Sequence, residues 1–472
     1  MWRLSQKIRS IPIRLSWCDN KSQCILVTIG FLVLNNFLVA QSFSGNTGII
    51  IDYVGEPSPS IFELEVDNLP DALSSDYGIE SVCMHIRHGR TRDLKIELLS
   101  PSGTRVWLSN RNSDPLNYGF YMTCFNQDGF NGHIIEGGNR FEGEYIPEGR
   151  LEYFNNGQNP NGSWFLIISD LEEGDIGKLL EWKIVFGSNP ADGGKVHCQD
   201  MSLGKCLAEK FPHGKELLPD LILSTSLTMN HITYFPKDSD EKEYRNQLRF
   251  AAAMANIGLG PLEITGDGIW SCGNKVGSRT EPCPDGSYPR QRVYQKIYKI
   301  DQDTIETISN PGGTLYYDTQ PGHNHYHADH WVRYSLLKKK WWCRNPKKWK
   351  VISTSDKVSY CLYDNKVCTE ENAFCVDNDK VYSSNNLENY GFGNFTSCNS
   401  YKQGISVGGL DYYGKFYEGQ HLNLPDDLEE GTYYLFIEID PENYYREVDE
   451  TNNNSLIKVT FAKDDNGQLY LK

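Results

Sequence analysis

Histidine is concentrated in one short segment of this 472-residue chain, PGHNHYHADHW. Of the 11 histidines, four lie there: His323, His325, His327 and His330. The first three recur with period two, and alternate residues of an extended strand project from one face, about 6.6 Å apart. Twist or a bulge can then bring three imidazoles onto one metal ion. Three neutral nitrogen ligands suit copper or zinc rather than calcium or magnesium, so the spacing predicts a metal site.

The spacing alone leaves the chemistry open. Zinc held by three histidines and a water would indicate a hydrolase or a lyase, whereas copper would indicate redox chemistry. A row of exposed histidines, or histidines acting as acids and bases without a metal, is the other interpretation. His330 breaks the period, and we predict that it hydrogen-bonds the ligands rather than joining them.

A β-rich framework is expected to hold this segment. The chain is long enough for two or three domains. Its 28 tyrosines, 20 phenylalanines and 42 glycines favour sheets with many turns over helical bundles. We therefore predict an all-β protein.

The amino terminus has the order of an export signal. Basic residues precede the apolar run CILVTIGFLVLNNFLVA, residues 24–40. This order predicts a signal peptide over residues 1–40 and a secreted, cell-surface or periplasmic protein. An uncleaved anchor is the alternative, although Asn35 and Asn36 weaken a spanning helix.

Cysteine usage fits the same compartment. Two of the 13 cysteines lie in the predicted signal, and in an oxidising compartment the other eleven should mostly pair. Pairing of neighbours leaves Cys343 odd and predicts five disulfides: Cys83–Cys124, Cys198–Cys206, Cys272–Cys283, Cys361–Cys375 and Cys368–Cys398.

Residues 42–187 show short alternating strands separated by turns, as in DLKIELLSPSGTRVWLS. This pattern predicts a β-sandwich. The SPSGT turn and the closing NGSWFLIISDLEEGDIGKLLEWKIVFG resemble the P domain (homo B domain) that follows subtilisin-like proteases. The resemblance implies a jelly-roll sandwich with an accessory role. Asp170 and Asp175 are candidate calcium ligands, with turn capping as the alternative.

A second β domain is predicted over residues 217–472, after a linker with a small cysteine loop at 188–216. The segment QLRFAAAMANIGLGPLEI (247–264) is ambiguous by period, and we favour strands there. Farther on, GTYYLFIEIDPENYYREVDETNNNSLIKVTF predicts two long strands around a polar turn.

Five motifs of this second domain resemble lysyl oxidases, in order, between about residues 218 and 462. HNHYHADHWVRYSLL is similar to the family's copper segment, and SDKVSYCLYD is similar to GHKASFCLED. GISVGGLDYYGKFYEGQHLNL contains the family's Asp, one residue, then Tyr. The closing EIDPENYYREVDETNN and the earlier 247–264 segment also match. The resemblance implies a β-sandwich-cored catalytic domain with long loops.

The resemblance also implies a copper amine oxidase. Carried over by position, the copper ligands are His323, His325 and His327. Lys357 and Tyr413 would form the lysine tyrosylquinone cofactor, in which copper and oxygen oxidise the tyrosine and the lysine amine adds to its ring. Primary amines would then be deaminated to aldehydes with release of hydrogen peroxide and ammonia.

The chain departs from the family at three places. Two family cysteines are replaced by Gly322 and Gly409, and Cys398 is a candidate substitute for one of them. After HYH the chain is one residue shorter, so the family's acidic residue has no unique counterpart. Asp329 is the candidate catalytic base or orienting residue.

The formal net charge of −16 disfavours nucleic acid and favours cationic partners. The predicted partners are a primary-amine substrate, with protein lysine and small amines both open, and a cell-surface or matrix contact through the P domain. The alternative is a non-catalytic extracellular protein that binds copper or zinc for adhesion or sequestration. A three-histidine zinc hydrolase is a third hypothesis. Only quinone formation requires both Lys357 and Tyr413.

Overall fold

The computed structural model describes residues 13–18, 24–29, 40–54, 58–112, 118–137, 140–192, 203–319, 325–355 and 358–472. Residues 1–40 form a unit of their own, in which strands β1 (Ile13–Cys18) and β2 (Cys24–Ile29) pair antiparallel. Most of the predicted signal peptide lies outside the described residues. Within those ranges, no helix has the length and apolar character needed to cross a membrane.

The N-terminal sandwich, residues 41–187, consists of two sheets around one core. One sheet has the order β10-β9-β6-β12-β3, with β4 also on β12, and the other has the order β5-β11-β7-β8. The strands are β3 (Gln41–Ser44), β4 (Gly48–Ile50), β5 (Ser60–Val66), β6 (Gly78–Arg87), β7 (Leu94–Leu99), β8 (Arg105–Asn110), β9 (Gly119–Phe125), β10 (Phe141–Tyr145), β11 (Gly162–Asp170) and β12 (Gly177–Gly187).

Burial in this sandwich follows the sequence pattern. The edge strand β5, SIFELEV, alternates buried and exposed residues along its whole length, as expected for a strand with one face on the core. The central strand β11 ends in five consecutive buried residues. Trp164 and Trp182, from the two sheets, are fully buried, and each such side chain contributes roughly 1.5–3 kcal/mol relative to exposure.

The C-terminal module, residues 203–472, is also built of strands. Its two α-helices are short, α1 (Leu203–Lys210) and α2 (Thr225–Asn230). Its strands are β13 (Glu216–Leu217), β14 (Leu221–Leu223), β15 (Thr233–Phe235), β16 (Gln247–Arg249), β17 (Ala252–Asn256), β18 (Leu262–Cys272), β19 (Lys275–Val276), β20 (Arg290–Asp301), β21 (Thr304–Asp318), β22 (His325–Lys338), β23 (Lys350–Thr354), β24 (Val358–Tyr360), β25 (Lys366–Val367), β26 (Val376–Asp377), β27 (Lys380–Val381), β28 (Gln403–Ile405), β29 (Gly409–Tyr413), β30 (His421–Asn423), β31 (Gly431–Ile439), β32 (Asn454–Lys463) and β33 (Leu469–Leu471). The all-β prediction is confirmed.

Short 3₁₀ helices complete the secondary structure of the described residues. They are Thr91–Asp93, Ile134–Glu136, Leu151–Phe154, Lys242–Tyr244 and Pro346–Lys348.

The main sheet of the C-terminal module has the order β19-β18-β20-β21-β22-β31-β32-β33. A smaller sheet, β14-β17-β29-β25, carries the Tyr412–Tyr413 segment. A third sheet has the order β15-β16-β30. The ambiguous segment 247–264 forms β16, β17 and the start of β18, so the preference for strands is confirmed.

The histidine strand β22 lies at the centre of the main sheet. It pairs with β21 through Tyr316↔His327 and with β31 through Val332↔Ile439. The backbone of His330 has a φ of +57°, and the register against β24 shifts between residues 328 and 332. This irregularity takes His330 out of the alternation that His325 and His327 share.

The two modules share core and polar contacts. One hydrophobic cluster runs from the sandwich residues into β17, β29 and the Cys368–Cys375 region. Four consecutive residues, YDNK at 363–366, each hydrogen-bond the N-terminal sandwich. The pairs are Tyr363–Glu148, Asp364–Tyr153, Asn365–His133 and Lys366–Glu136.

The structure confirms two of the five predicted disulfides. Cys83–Cys124 and Cys272–Cys283 are confirmed. Cys343 is free, as predicted. Cys206 is disulfide-bonded, but its predicted partner Cys198 lies outside the described residues.

The predicted pairs Cys361–Cys375 and Cys368–Cys398 are wrong. The structure forms Cys361–Cys398 and Cys368–Cys375. The chain from residue 395 to residue 404 runs back along residues 362–364, with hydrogen bonds from Asp364 N to Phe395 O and from Gly404 N to Leu362 O. Cys398 is therefore brought beside Cys361, and Cys368 and Cys375 close their own short loop.

Candidate active site

His325 and His327 face each other at the beginning of β22. Their Nε2 atoms lie 2.9 Å apart. His327 is 4% exposed, and its Nδ1 lies 3.2 Å from the Tyr316 hydroxyl and 3.8 Å from Asp318 Oδ2. A proton on Nδ1 can be accepted by the Tyr316 oxygen, and this tautomer places the lone pair on Nε2, the atom that would bind a metal.

The two imidazoles fit neighbouring positions on one copper ion. Metal–imidazole bonds of about 2.0–2.1 Å at a right angle would place the two nitrogens about 2.9 Å apart, which is the observed separation. His323, the third predicted ligand, lies outside the described residues. Within the described ranges, no group of three or more His, Cys, Asp or Glu side chains is arranged to hold a metal.

Tyr413 lies at the end of β29 and is 7% exposed. Its hydroxyl donates to the Cys361 carbonyl and lies 3.0 Å from Asp411 Oδ2. The Tyr360 ring stacks on the Tyr413 ring with centroids 4.0 Å apart. Burial, followed by the Asp411 charge, raises the pKa of Tyr413 well above its usual range. The phenol is therefore held in its protonated form.

One cavity of about 560 Å³ joins the histidines to Tyr413. Its aromatic lining consists of Trp107, Tyr244, Tyr360, Tyr363, Tyr413, Phe416 and Tyr417. The other lining residues that bear on chemistry are His325, His327, His421, Arg249, Glu148 and Glu418. Aromatic rings and many polar or charged side chains therefore line the same cavity, and a concave site with convergent polar groups is a candidate small-molecule or side-chain binding site.

Lys357 lies outside the described residues, but its neighbours border the site. Thr354, Ser355, Val358 and Ser359 line a second cavity of about 460 Å³. This cavity shares His327, Tyr360, Glu418 and His421 with the first one. The described residues on both sides of Lys357 therefore line a cavity that shares four residues with the cavity of His325 and Tyr413.

Asp329 is buried in an ion pair and does not line either cavity. Arg290 Nε lies 2.7 Å from Asp329 Oδ2, and the Thr314 hydroxyl donates to the same oxygen at 2.7 Å. Ser359 Oγ lies 3.3 Å from Asp329 Oδ1. This network favours an orienting role over that of a base in contact with substrate.

His330 is separated from the other histidines. Its ring lies near Tyr444, with centroids 6.5 Å apart, and it lines a different cavity together with Arg333 and Glu438. The described contacts include no hydrogen bond from the His330 ring to His325 or His327.

Asp170, a candidate calcium ligand, is used in another way. Its Oδ2 lies 2.9 Å from His88 Nε2, and both side chains are fully buried. Asp175 belongs to no metal-holding group among the described residues.

Sequence reasoning missed several residues of the cavity. Asp411 was recognised only as part of the family motif and given no role, although it stands two residues before Tyr413 and therefore on the same face of a strand. His421 lines the cavity, and burial and Arg249 lower its pKa to about 4, so its imidazole is neutral at pH 7. Trp107 and Glu148 come from the other module, and no local pattern marks them.

Gly409 stands where the family has a cysteine, and the reason is visible. A Cβ at Gly409 would lie 2.2 Å from Asp364 Oδ1, closer than two such atoms can approach. The Asp364 carboxylate accepts hydrogen bonds from Ser406 N and Oγ and from the Tyr153 hydroxyl of the sandwich. A carboxylate that bridges the two modules thus occupies the place of the family thiol.

Comparison with known proteins places both modules. Residues 80–186 match the proprotein convertase P-domain family, and residues 308–468 match the lysyl oxidase family. An N-terminal P domain followed by a lysyl oxidase domain, as predicted from the sequence, is therefore confirmed.

Matches to individual proteins add little. No curated protein sequence matches significantly. The chain is similar to a serine protease of Aeromonas sobria in complex with its chaperone, at 15% identity over 38% of this chain and 36% of that chain, with a TM-score of 0.17. A second structure of the protease gives 17% identity, 37% of each chain and a TM-score of 0.17. The chain thus spans little more than a third of these proteins, and scores this low carry no argument.

Proposed function

We propose that this protein is an exported, copper-dependent amine oxidase of lysyl oxidase type. The lysyl oxidase domain is established by its family match. The observation that carries the finer proposal is that His325, His327 and Tyr413 line one cavity. The four disulfides among the described residues are typical of an oxidising compartment and support export.

In this proposal, His325 and His327 hold copper through Nε2, together with His323. When bound, copper supplies redox chemistry with oxygen, and a quinone made from Tyr413 and Lys357 supplies the carbonyl that reacts with the substrate amine. Tyr316 fixes the ring of His327 at Nδ1. Asp411 Oδ2 is a second hydrogen-bond acceptor beside the Tyr413 hydroxyl, 3.0 Å away.

The aromatic walls would bind and orient the substrate. An ammonium group is attracted to the faces of aromatic rings, and its alkyl chain packs against them. Tyr360, stacked on Tyr413, covers one face of the reacting ring and excludes water there. A primary amine on a flexible chain, such as a lysine side chain or a small amine, fits these walls. The expected products are aldehyde, hydrogen peroxide and ammonia.

The test is the covalent bond between Lys357 and Tyr413 after copper loading in air. Wild-type protein should show quinone absorbance, a crosslinked tryptic peptide and peroxide release that depends on added amine. Lys357→Ala and Tyr413→Phe should each bind copper normally and show none of the three. Tyr412→Phe is the matched control at the neighbouring position and should keep all three.

Peptide mapping also separates two lysine–tyrosine pairs. Lys366 Nζ lies 4.7 Å from the centroid of the Tyr412 ring, so a bond there must be distinguished from the proposed one. Separate Lys357 and Tyr413 peptides in protein that still oxidises amines would refute the quinone assignment. Copper binding without any oxidation would favour the sequestration alternative, and zinc-dependent hydrolysis would favour a hydrolase.

A further inference from the structure

The wall of the cavity that contains Tyr413 also includes residues of the other module. Six lining residues belong to the N-terminal sandwich: Arg92, Trp107, Asn110, Arg111, Glu148 and Glu172. Arg92 reaches across to Glu243 of the C-terminal module, with Nη1 and Oε1 2.8 Å apart. The sandwich is therefore in contact with the space in which the chemistry is proposed.

Trp107 covers the histidine side of the cavity. Its ring centroid lies 5.4 Å from that of His325 in an edge-on arrangement and 5.2 Å from that of Tyr363. The side chain is 4% exposed, and Lys95 Nζ lies over the ring at 4.3 Å. A large rigid ring held on several sides sets a fixed boundary to the cavity.

Glu148 uses its two carboxylate oxygens for two different modules. Oε2 accepts from Asn110 N at 2.8 Å and from Asn112 Nδ2 at 2.7 Å, both in the sandwich. Oε1 accepts from the hydroxyls of Tyr363 and Tyr417 at 2.9 and 2.8 Å. Both tyrosines line the cavity, and the Tyr417 ring lies 6.2 Å from the Tyr413 ring.

We propose that the P domain forms part of the wall of the amine-oxidase site and contributes to its activity. Glu148 positions the rings of Tyr363 and Tyr417 near Tyr413. Trp107 limits the size of the cavity beside His325. This proposal rests on the proposed function. It assigns the sandwich a part in catalysis and substrate choice, beyond an accessory role. A buried, hydrogen-bonded carboxyl group fixes the tyrosine rings, because neither hydroxyl can move without losing its hydrogen bond to Glu148.

The first experiment measures the distance between Trp107 and the metal site without using activity. Bound Cu²⁺ should quench the fluorescence of a tryptophan this close, so titration of the full-length metal-free protein with Cu²⁺ should quench part of the emission. That part should be lost in Trp107→Phe and kept in Trp164→Phe, which alters a tryptophan in the sandwich core. Equal quenching in wild type and Trp107→Phe would overturn the placement of Trp107. Failure of wild type to bind Cu²⁺ would instead overturn the proposed function, and this proposal with it.

The second experiment tests positioning by Glu148. Glu148→Gln and the double variant Tyr363→Phe/Tyr417→Phe should each lower kcat by about 10–100-fold, the range typical of groups that orient a metal site or its ligands. KM should change little, and quinone absorbance should develop more slowly at an unchanged copper content. The double variant keeps both aromatic rings and removes only their hydroxyls, so it breaks the same two hydrogen bonds to Glu148 from the C-terminal side.

Tyr153→Phe is the matched control. It removes the Tyr153–Asp364 hydrogen bond, which crosses the same interface at 2.8 Å but lies outside the cavity lining. It should lower thermal stability and leave kcat within about twofold. If Glu148→Gln and Tyr153→Phe lower kcat equally, the sandwich only stabilises the fold and the positioning role is excluded.

Substrate choice gives a third measurement. Trp107→Ala should raise kcat/KM for a bulky aromatic amine relative to n-butylamine by about tenfold, the scale of one lost packing contact in a pocket. An unchanged ratio would exclude Trp107 as the boundary of the cavity.

Discussion

Two histidine centres among the described residues, one in each module, differ in what their ring nitrogens meet. In the N-terminal sandwich, His88 places Nδ1 2.7 Å from the Arg90 carbonyl and Nε2 2.9 Å from Asp170. In the C-terminal module, His325 and His327 turn their Nε2 atoms toward each other on the wall of a cavity. His88 and His327 are each 4% exposed, whereas His325 is partly exposed, so burial alone does not distinguish the two centres.

The difference lies in the partners. Burial alone would lower the pKa of His88, but the hydrogen bond and charge of Asp170 outweigh it and raise the pKa. The ring is thus one half of an ion pair with both nitrogens occupied. Two neutral imidazole nitrogens that face each other need a shared proton or a cation between them. The His88–Asp170 pair is buried in the fold, whereas the facing histidines line a cavity that a ligand could enter.

The largest difference between the His325–His327 centre and the His88–Asp170 centre is expected in copper binding. His327→Ala should weaken Cu²⁺ binding by more than about 100-fold, because the loss of a ligand exceeds the 10–100-fold typical of outer partners. His88→Ala should leave the copper stoichiometry unchanged. Isothermal titration of the metal-free proteins measures both, and tight binding that survives in His327→Ala would contradict the ligand assignment.

Stability should separate the two centres in the opposite direction. Asp170→Asn leaves His88 without its charge partner, and breaking a buried pair costs on the order of 3 kcal/mol of unfolding free energy. Because the pKa of His88 is raised in the folded state, the pair stabilises most below the ordinary histidine pKa, and its contribution fades as pH rises through the raised value. Urea unfolding at several pH values tests this, and metal-free His327→Ala should lose less stability than Asp170→Asn.

Asp93, a buried carboxyl group near His88, predicts a smaller effect of the opposite sign: its replacement should stabilise the fold. Burial raises the pKa of Asp93 to about 6, and its Oδ1 is buried without a hydrogen-bond partner. The folded state therefore favours protonated Asp93, and ionisation at neutral pH destabilises it. Asp93→Asn should raise the unfolding free energy by about 1 kcal/mol at pH 8, and the gain should vanish below about pH 4. The exposed Asp71→Asn should show no such pH-dependent gain.

The smallest effect is expected at His330. Its ring faces Tyr444 and a separate cavity, so His330→Ala should change the copper affinity by less than about twofold. Outer partners that do hydrogen-bond a ligand are worth 10–100-fold. A loss in that range would show that His330 supports the ligands in the copper-loaded protein after all.

The sequence predicted what is local and missed what depends on distant packing. The two-residue period of the histidines placed His325 and His327 on one strand face. The rule that successive cysteines of a domain pair found Cys83–Cys124. The same spacing rule failed for Cys361, because the return of the chain at residues 395–404 brings Cys398 closer than Cys375.

The cavity shows the same limit. Glu148 and Tyr363 are 215 residues apart in sequence and 2.9 Å apart in space. No periodicity in the sequence connects these two residues. In the sequence-based interpretation, the sandwich has an accessory role and the C-terminal domain the catalytic role, so no contact between them was predicted. Asp329 shows the same limit, since its acidic type suggested a base or an orienting residue, and only the contact with the distant Arg290 favours the second role.

The glycine at position 409 has a consequence for how the joint between the modules responds to its surroundings. A cysteine at this place that formed a disulfide would make the joint sensitive to reductants, because thiol exchange can open a disulfide. Here the joint consists of the Asp364 carboxylate and its hydrogen bonds to Ser406 and Tyr153. A reducing environment can open Cys361–Cys398, which belongs to one packed cluster with Trp107 of the sandwich. At Gly409 there is no disulfide to open, so the hydrogen bonds of Asp364 contain no reducible bond.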